Sequence, residues 1–402
     1  MHDSEDRLKL WLRAAQPELF RANAFRILGL PVNAAERQIK KQAEKVKLVE
    51  KFGGVEALKT VGPLPLNPAP DIDTIREAIH RLRNPEQRIL DEFFWFWPIA
   101  SDAPDDDQAL AALAAGDIKS ATEIWYQQAD QAGNQGVAGH NLAVLYHATA
   151  LDLEYIPEVK PLSESLRKLQ SAYWREAFTR WRVVLEDNRF WKKLEERIRE
   201  LDDPRLTPDF ASHLRTSLPL VLVSINARLA VQAIEQNENE EAERQRCFMR
   251  EASFDDEIMD EALRRAAEPV VDQIRTLCEA SPQEAEDDPK RADDVTRRLL
   301  AQAGALLDVL DRLLPTGHPL CDATRDEVAS VALNCLIPFS QATGNWQVAR
   351  TLLELTRPYA RSSGVRERID NIRAYLLPNP ADKRIDNIRA YLLGLAYQPS
   401  SV

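Results

Sequence analysis

The sequence is poor in the residues that build disulfide-rich, metal-binding or membrane-spanning proteins. Its 402 residues include four cysteines, which are widely spaced and form no Cys-x-x-Cys pair, so neither a disulfide framework nor a zinc site is expected. The longest apolar run, residues 217–231, is interrupted by Asn226 and Arg228 and falls short of a membrane span. Only 13 glycines occur, and no long segment alternates like a strand. These absences favour a soluble, helical chain with reduced thiols.

Positive charge is also scarce over the chain as a whole. Lys and Arg number 52 against 64 Asp and Glu, which gives a net charge of −12. Such a chain has no general attraction to nucleic acid or to anionic membranes, so we expect neither as a partner. The first sixteen residues lack the basic start and apolar core of a signal peptide, and we therefore expect a cytoplasmic protein.

The usual motifs of catalysis and cofactor binding are missing. The sequence contains no GxxxxGK[ST], GxGxxG, GxSxG or HExxH pattern. His140 and His147 lie seven residues apart, a spacing that would serve a metal only with ligands from elsewhere, and packing is the simpler interpretation. We therefore expect no catalytic residue, no metal and no cofactor. The remaining alternative is an enzyme whose site is spread over distant helices.

What the sequence does contain is helical periodicity, which predicts an all-α fold. A chain of this length is expected to form two or three domains. Acidic, proline-containing segments at 102–107 and 281–294 are the expected boundaries, which gives domains at 1–100, 101–280 and 281–402. Trp174, Phe178 and Trp181 recur at helical spacing and are expected to pack inside the second domain.

One predicted helix is strongly basic on one side. Asn33 with Glu36 is typical of a helix start, and Gly53 with Gly54 is typical of an end. Residues 37–51 hold six basic and two acidic residues, a local charge of +4 that would attract an acidic protein surface. The alternative is a face that only contacts solvent. The predicted partner-binding residues on this helix are Arg37, Lys40, Lys41, Lys45 and Lys47.

Residues 83–98 read RNPEQRILDEFFWFWP and contain five consecutive aromatic residues. Asn84 and Pro85 open a helix there, with proline in the favoured first turn. A helix that is apolar all round must be buried all round, and fewer than 100 residues cannot bury it alone. We therefore predict that the run packs the first domain onto the helices after Pro98. The alternative is an exposed patch for an external partner. The run consists of Phe93, Phe94, Trp95, Phe96 and Trp97.

The first hundred residues resemble a J-domain in the order of their motifs. An aromatic-x-x-Leu-Gly-Leu phrase precedes the basic helix, and Asn-Pro-x-x-Arg opens the last helix. The matching positions are Phe25, Leu28, Gly29, Leu30, Ala34, Ile39, Lys40, Lys41, Ile75, Ala78, Leu82, Asn84, Pro85, Arg88 and Asp91. The His-Pro-Asp of ATPase-stimulating J-domains occurs nowhere; Ala69-Pro70-Asp71 is the nearest phrase. The resemblance implies a degenerate J-like module whose basic helix meets an acidic surface of a heat-shock ATPase.

The next residues resemble tetratricopeptide repeats, although no regular 34-residue period continues. Small residues alternate with large ones at Gly116, Ala121, Trp125, Asn141, Leu142, Ala143 and Tyr146. This resemblance implies protein–protein binding. The combined prediction is a J-like helical module packed on a larger repeat-like α-helical array, and a non-catalytic adaptor or scaffold that binds another protein. The alternative is a co-chaperone that stimulates a heat-shock ATPase through an atypical loop containing Pro70 and Asp71.

The C-terminal part contains the same ten residues twice. RIDNIRAYLL occurs at 368–377 and again at 384–393. Two perfect copies indicate a tandem duplication rather than a repeat architecture, which diverges and runs to three or more units. The two copies are expected to form two similar short helices.

Overall fold

The structure is a computed structural model that describes residues 2–52, 62–99, 107–134, 136–155, 162–207 and 209–375. Seventeen α-helices and three short 3-10 helices occur in this part of the chain, and no strand occurs in it. The predicted all-α fold is therefore confirmed.

The chain divides into two compact units. The first comprises Met1–Leu229 and Glu243–Ala262, and the second comprises Ala230–Ala242 and Leu263–Val402. The helices before residue 202 belong to the first unit. They are α1 (His2–Ala14), α2 (Ala24–Leu28), α3 (Glu36–Phe52), α4 (Ile72–Arg81), α5 (Pro85–Phe93), α6 (Gln108–Ala114), α7 (Ile118–Gln128), α8 (Val137–Glu154), α9 (Glu164–Glu186) and α10 (Asn188–Leu201).

Three helices contribute residues to both units, and four lie wholly in the second. The former are α11 (Phe210–Glu235), α12 (Asn239–Glu251) and α13 (Asp256–Asp287). The latter are α14 (Ala292–Leu313), α15 (Pro319–Thr343), α16 (Trp346–Thr356) and α17 (Ser363–Tyr375). Short 3-10 helices occupy Ala132–Asn134, Pro289–Arg291 and Arg357–Tyr359.

The expected linker at 281–294 is helical instead. Residues 281–287 are the last turns of α13, and α14 begins at Ala292. Pro282 lies inside the helix, and the Ser281 hydroxyl donates a hydrogen bond to the Leu277 carbonyl at 2.7 Å. Ala285 and Ala292 are fully buried against Cys335 and Phe339 in the second unit. The segment is therefore held by small apolar residues that its acidic composition obscured, and no unit boundary falls at 280.

Short polar caps fix the helices of the first hundred residues. The Asn84 side chain accepts hydrogen bonds from the backbone N–H groups of Glu86 and Gln87, and Pro85 occupies the first turn, as predicted. Asn23 caps α2 in the same way, and Gly29 ends that helix with φ 62°, a conformation that glycine adopts at low cost.

The predicted cap of the basic helix is wrong. Helix α3 begins at Glu36, so Asn33 lies outside it. The Ala35 N–H donates instead to the Gln38 side-chain oxygen at 2.8 Å, which is one half of a capping box. The predicted end at Gly53 and Gly54 lies outside the described residues, and α3 is described as far as Phe52.

The aromatic run does not continue the preceding helix. Helix α5 ends at Phe93, and the next four aromatic residues form a non-helical segment. The predicted helix that opens at Asn84 and Pro85 is therefore present as far as Phe93, and the prediction that the rest of the aromatic run is helical is wrong. The Trp97 backbone N–H and carbonyl are hydrogen-bonded to the side chain of Asn141 at 2.8 Å each, so a side chain takes the place of the backbone partners that a helix would provide.

Candidate protein-binding face

Helix α3 presents its predicted basic residues to solvent. Ile39, Val46 and Val49 are buried and fix one side of the helix. The five predicted binding residues are all exposed. At about 100° per residue, Arg37, Lys41 and Lys45 share one stripe of the opposite side. The predicted residues on α3 are therefore placed together on one accessible surface, which we call the basic face: Arg37, Lys40, Lys41, Lys45 and Lys47.

The basic face also contains an apolar residue. Leu48 is 57% exposed and follows Lys41 and Lys45 at spacings of seven and three, so the three lie on one stripe. Among these five basic side chains, Lys40 forms an ion pair within the described part of the chain, where its ammonium lies 2.8 Å from the Glu36 carboxylate. Both groups are well exposed, so this pair contributes little to stability. An acidic surface with a small apolar pocket would match this face.

Pro70 and Asp71 lie at the start of α4, apart from the basic face in sequence. The Asp71 carboxylate caps α4 by accepting a hydrogen bond from the Thr74 N–H at 2.7 Å, which lowers the pKa of Asp71. Asp71 is exposed and Pro70 is partly buried. The conformation of Asp71 is therefore fixed by a structural role.

The five aromatic residues are buried rather than exposed. Phe93 contacts the rings of Trp181, Phe190 and Trp191 at centroid distances of 5.7, 6.0 and 5.6 Å, and Phe96 stacks on Trp125 at 5.5 Å. Each of the five is at most 3% exposed. These partners come from α7, α9 and α10, so the run packs the first hundred residues onto the following helices within one unit.

A buried ion-pair network lies directly beside the aromatic run. Glu92 is fully buried and accepts hydrogen bonds from Arg88 at 2.8 Å and from Arg197 at 2.8 and 2.9 Å. Its backbone carbonyl accepts a hydrogen bond from the Trp97 indole at 2.6 Å. Sequence reasoning missed this network because Arg197 is 105 residues away, and no local pattern pairs the two.

A second buried carboxyl lies in a cleft of about 470 Å³ between the α1 end of the chain and helices α4 and α5. Asp91 is 3% exposed and accepts a hydrogen bond from the Arg81 guanidinium at 2.6 Å. Burial raises the pKa of Asp91 to about 7, although Arg81 and the Ala24 backbone N–H favour the charged form. The Asp91 side chain therefore links α5 to α4 through Arg81.

Asp91 is expected to make stability depend on pH. Its folded pKa lies above the unfolded value, so between about pH 4 and 7 the folded state holds a proton that the unfolded state releases, and stability falls as pH rises through this window. Relative to wild type, Asp91→Asn should gain roughly 2–3 kcal/mol between pH 5 and pH 8, because each pH unit below the folded pKa is worth about 1.4 kcal/mol. Urea unfolding of both proteins at the two pH values measures this difference.

The two buried histidines have the opposite effect on the pH dependence of stability. Their contribution is the same in wild type and in Asp91→Asn, so it cancels when the two proteins are compared. Burial lowers the pKa of His140 to about 4 and that of His147 to about 3, so unfolding takes up protons below pH 6.5. Wild type and Asp91→Asn both contain both histidines. The difference in unfolding free energy between the two proteins therefore reports the group at position 91. Stability curves that run parallel from pH 5 to 8 would show that Asp91 is ionised throughout.

Both histidines pack in the aromatic core. The His140 ring stacks on Phe190 at 4.1 Å, and its Nε2 donates to the Phe93 carbonyl at 2.7 Å. The Nδ1 of His147 accepts a hydrogen bond from the Trp181 indole at 3.2 Å. Within the described residues, no group of three or more His, Cys, Asp or Glu side chains is arranged to hold a metal ion.

Sequence reasoning also missed a tyrosine-rich surface on α7, α8 and α9. The hydroxyls of Tyr126 and Tyr146 lie 3.0 Å apart, and Arg180 donates to the Tyr126 hydroxyl at 3.2 Å while lying over its ring. Tyr173 packs 6.0 Å from the Tyr146 ring. Burial raises the pKa of Tyr146, so its hydroxyl stays protonated. Because its members lie up to 54 residues apart, the surface leaves no local pattern in the sequence.

One described helix passes a length-and-composition test for crossing a membrane. It is α11, and 72% of its most apolar window is buried in the structure. The two polar residues that interrupt the run have partners inside the first unit. Asn226 donates to the Gln245 side chain at 2.8 Å, and Arg228 donates to the carbonyls of Ala15 and Leu12 at 2.6 and 3.0 Å. A buried core helix passes the same test, so the finding is weak evidence for a membrane span.

Comparison with protein-family models, curated proteins and solved structures gives no match to this chain. The resemblances to J-domains and tetratricopeptide repeats therefore depend on the residues quoted above.

Proposed function

We propose that this protein is a non-catalytic cytoplasmic adaptor that binds an acidic protein surface through the basic face of α3. The observation that carries the proposal is the placement of five basic side chains on the exposed side of one helix in a chain of net charge −12. A local cationic surface on an anionic protein gives orientation as well as attraction, because the rest of the molecule repels the same partner.

Burial of the aromatic run supports this assignment by removing the competing interface. All five aromatic side chains are enclosed by helices of the same unit. They pack the first hundred residues, which contain the basic helix α3, against α7, α9 and α10. Leu48 remains exposed among the lysines and would give the partner an apolar contact at the centre of the charged surface. The repeat-like helices α6–α9 are proposed to hold a second protein, with the tyrosine-rich surface as the candidate contact.

A second candidate is a co-chaperone that stimulates a heat-shock ATPase. The observation that favours it is the order of elements in the J-like module, where the basic helix α3 precedes an exposed Asp71 at the start of α4. Asp71 would then contact the ATPase while capping its own helix. ATP turnover by the host's heat-shock ATPase, measured with and without this protein at several salt concentrations, separates the two functions. Stimulation that fades with salt supports the co-chaperone, and no stimulation supports the adaptor.

Charge reversal on the basic face should abolish partner capture. Lys40→Glu, Lys41→Glu and Lys45→Glu together change the charge by −6, and we expect at least about a tenfold weaker association because the attraction becomes a repulsion. The measurement is affinity capture from the native cell followed by titration of the purified partner at low and at physiological salt.

A matched control has the same charge change elsewhere. Lys192, Arg199 and Lys290 are exposed basic residues outside α3 and outside α6–α9, and their replacement by Glu should leave capture intact. Both variants should keep the wild-type melting temperature because all six positions are exposed. Full capture by the α3 variant with an unchanged melting temperature would remove the basic face from the proposed function.

A further inference from the structure

The first copy of the duplicated decapeptide is part of the core of the second unit. Helix α17 contains most of it, and Ile369 is 1% exposed. Ile372 is partly buried against the same cluster. The residues that receive Ile369 belong to α15, α16 and the turn after α16, and we call them the α17 groove: Leu333, Leu336, Leu352, Leu353 and Ala360.

Polar contacts also fix the register of this copy. The Arg368 guanidinium donates to the Asn334 side chain at 2.7 Å, and Arg373 pairs with Glu354 at 2.9 Å. Every one of these contacts is made by residues 368–373, which read RIDNIR. The groove therefore recognises a six-residue sequence through two isoleucines and two arginines.

The second copy presents the same groups sixteen residues later. Arg384, Ile385, Ile388 and Arg389 correspond to Arg368, Ile369, Ile372 and Arg373. The second copy lies outside the described residues. Because the sequences are identical from Arg368 to Arg373, the second copy can repeat every contact described for that stretch. Val365, which packs on the cluster, and Arg366, which donates to the Ala360 carbonyl at 3.1 Å, precede the repeated stretch and can stay in place when the copies exchange.

We propose that the α17 groove is a docking site for either copy of RIDNIRAYLL, and that the second copy replaces the first within the same molecule. Such a replacement joins Glu367 to Arg384 through a loop of residues 368–383. The entropy of closing a loop grows only slowly with its length, so the cost favours the first copy without excluding the second. Attachment to the same chain gives the second copy a high effective concentration at the groove.

Aspartate substitutions test whether the second copy can take over. A charge in place of a fully buried isoleucine expels the helix that contains it. Ile385→Asp should leave the unfolding curve unchanged, and Ile369→Asp should shift it only slightly because the second copy docks. The double variant should lose roughly 100-fold in the folding equilibrium constant of the second unit, since neither copy fits. A double variant that unfolds like Ile369→Asp alone would overturn the proposal.

A cross-linking trap detects the exchange directly and does not depend on a destabilised variant. Asn334→Cys with Arg384→Cys should be joined within one molecule by a short bismaleimide, identified by peptide mapping, because Arg384 would occupy the place of Arg368. Asn334→Cys with Arg368→Cys is the control that reports the first copy, and it needs a linker because the 2.7 Å contact joins the ends of the two side chains rather than their Cβ atoms. Cross-linking of the control pair alone, or a cross-link that joins two molecules, would overturn exchange within one chain.

Discussion

Replacing Glu92 by Gln should destabilise the first unit by roughly 3–5 kcal/mol, among the largest effects expected from one substitution in this protein. Glu92 is fully buried and is the shared acceptor of Arg88 and Arg197, whose side chains are only 13% and 18% exposed. The amide has the same shape but no charge, so Arg88 would lose its carboxylate partner and Arg197 would keep only the exposed Glu200, although both guanidinium groups are largely desolvated. Urea unfolding monitored by tryptophan fluorescence measures the loss.

The same arginine provides the control for this experiment. Arg197 also contacts Glu200 at 3.2 Å, but that glutamate is 64% exposed. Glu200→Gln should therefore cost less than about 1 kcal/mol because water replaces the lost partner. Equal losses for the two substitutions would show that the Glu92 network contributes no more than an exposed ion pair.

Local features of the fold could be read from the sequence, and long-range ones could not. The start of α5 at Asn84 and Pro85 and the exposed bases of α3 follow from capping chemistry and helical spacing, which involve neighbours within one or two turns. The pairing of Glu92 with Arg197 depends on which helices meet, and 105 residues separate them. The function of the basic face stays a prediction, because its partner is another molecule.

Two corrections have a common physical cause. The segment 281–294 was expected to be a linker because of its acids and prolines, yet buried alanines hold it in helical structure. The run after Phe93 was expected to be helical because it is apolar throughout, yet it is non-helical. In both places tertiary contacts override local preference, and composition alone does not reveal such contacts.

The aromatic segment leaves the helix because one side chain supplies the hydrogen bonds that a helix would otherwise provide. Asn141 is fully buried in α8, where its amide oxygen accepts from the Trp97 N–H and its amide nitrogen donates to the Trp97 carbonyl. This reciprocal pair imitates the bonding of a neighbouring strand. It lets Phe96 and Trp97 spread toward different helices, which a continuous helix would prevent.

Asn141→Asp should therefore be strongly destabilising, by roughly 3 kcal/mol or more at pH 8. The introduced carboxylate has no donor for the Trp97 carbonyl, 2.8 Å away, and is buried without a counter-ion. Lowering the pH should reverse part of the loss, because a protonated carboxyl can donate to that carbonyl as the amide does. Thermal unfolding of both proteins from pH 8 to pH 5 follows this recovery.

Asn188→Asp is the matched isosteric control at an exposed position, where the side chain accepts a hydrogen bond from Arg215 at 2.7 Å. A carboxylate there keeps its donor, so we expect a change within about 0.5 kcal/mol and no recovery in acid. A loss at position 141 that is the same at every pH would mean that the cavity, rather than the missing donor, controls the fold. The aromatic segment would then be held by ring packing alone, and its departure from the helix would not depend on the amide of Asn141.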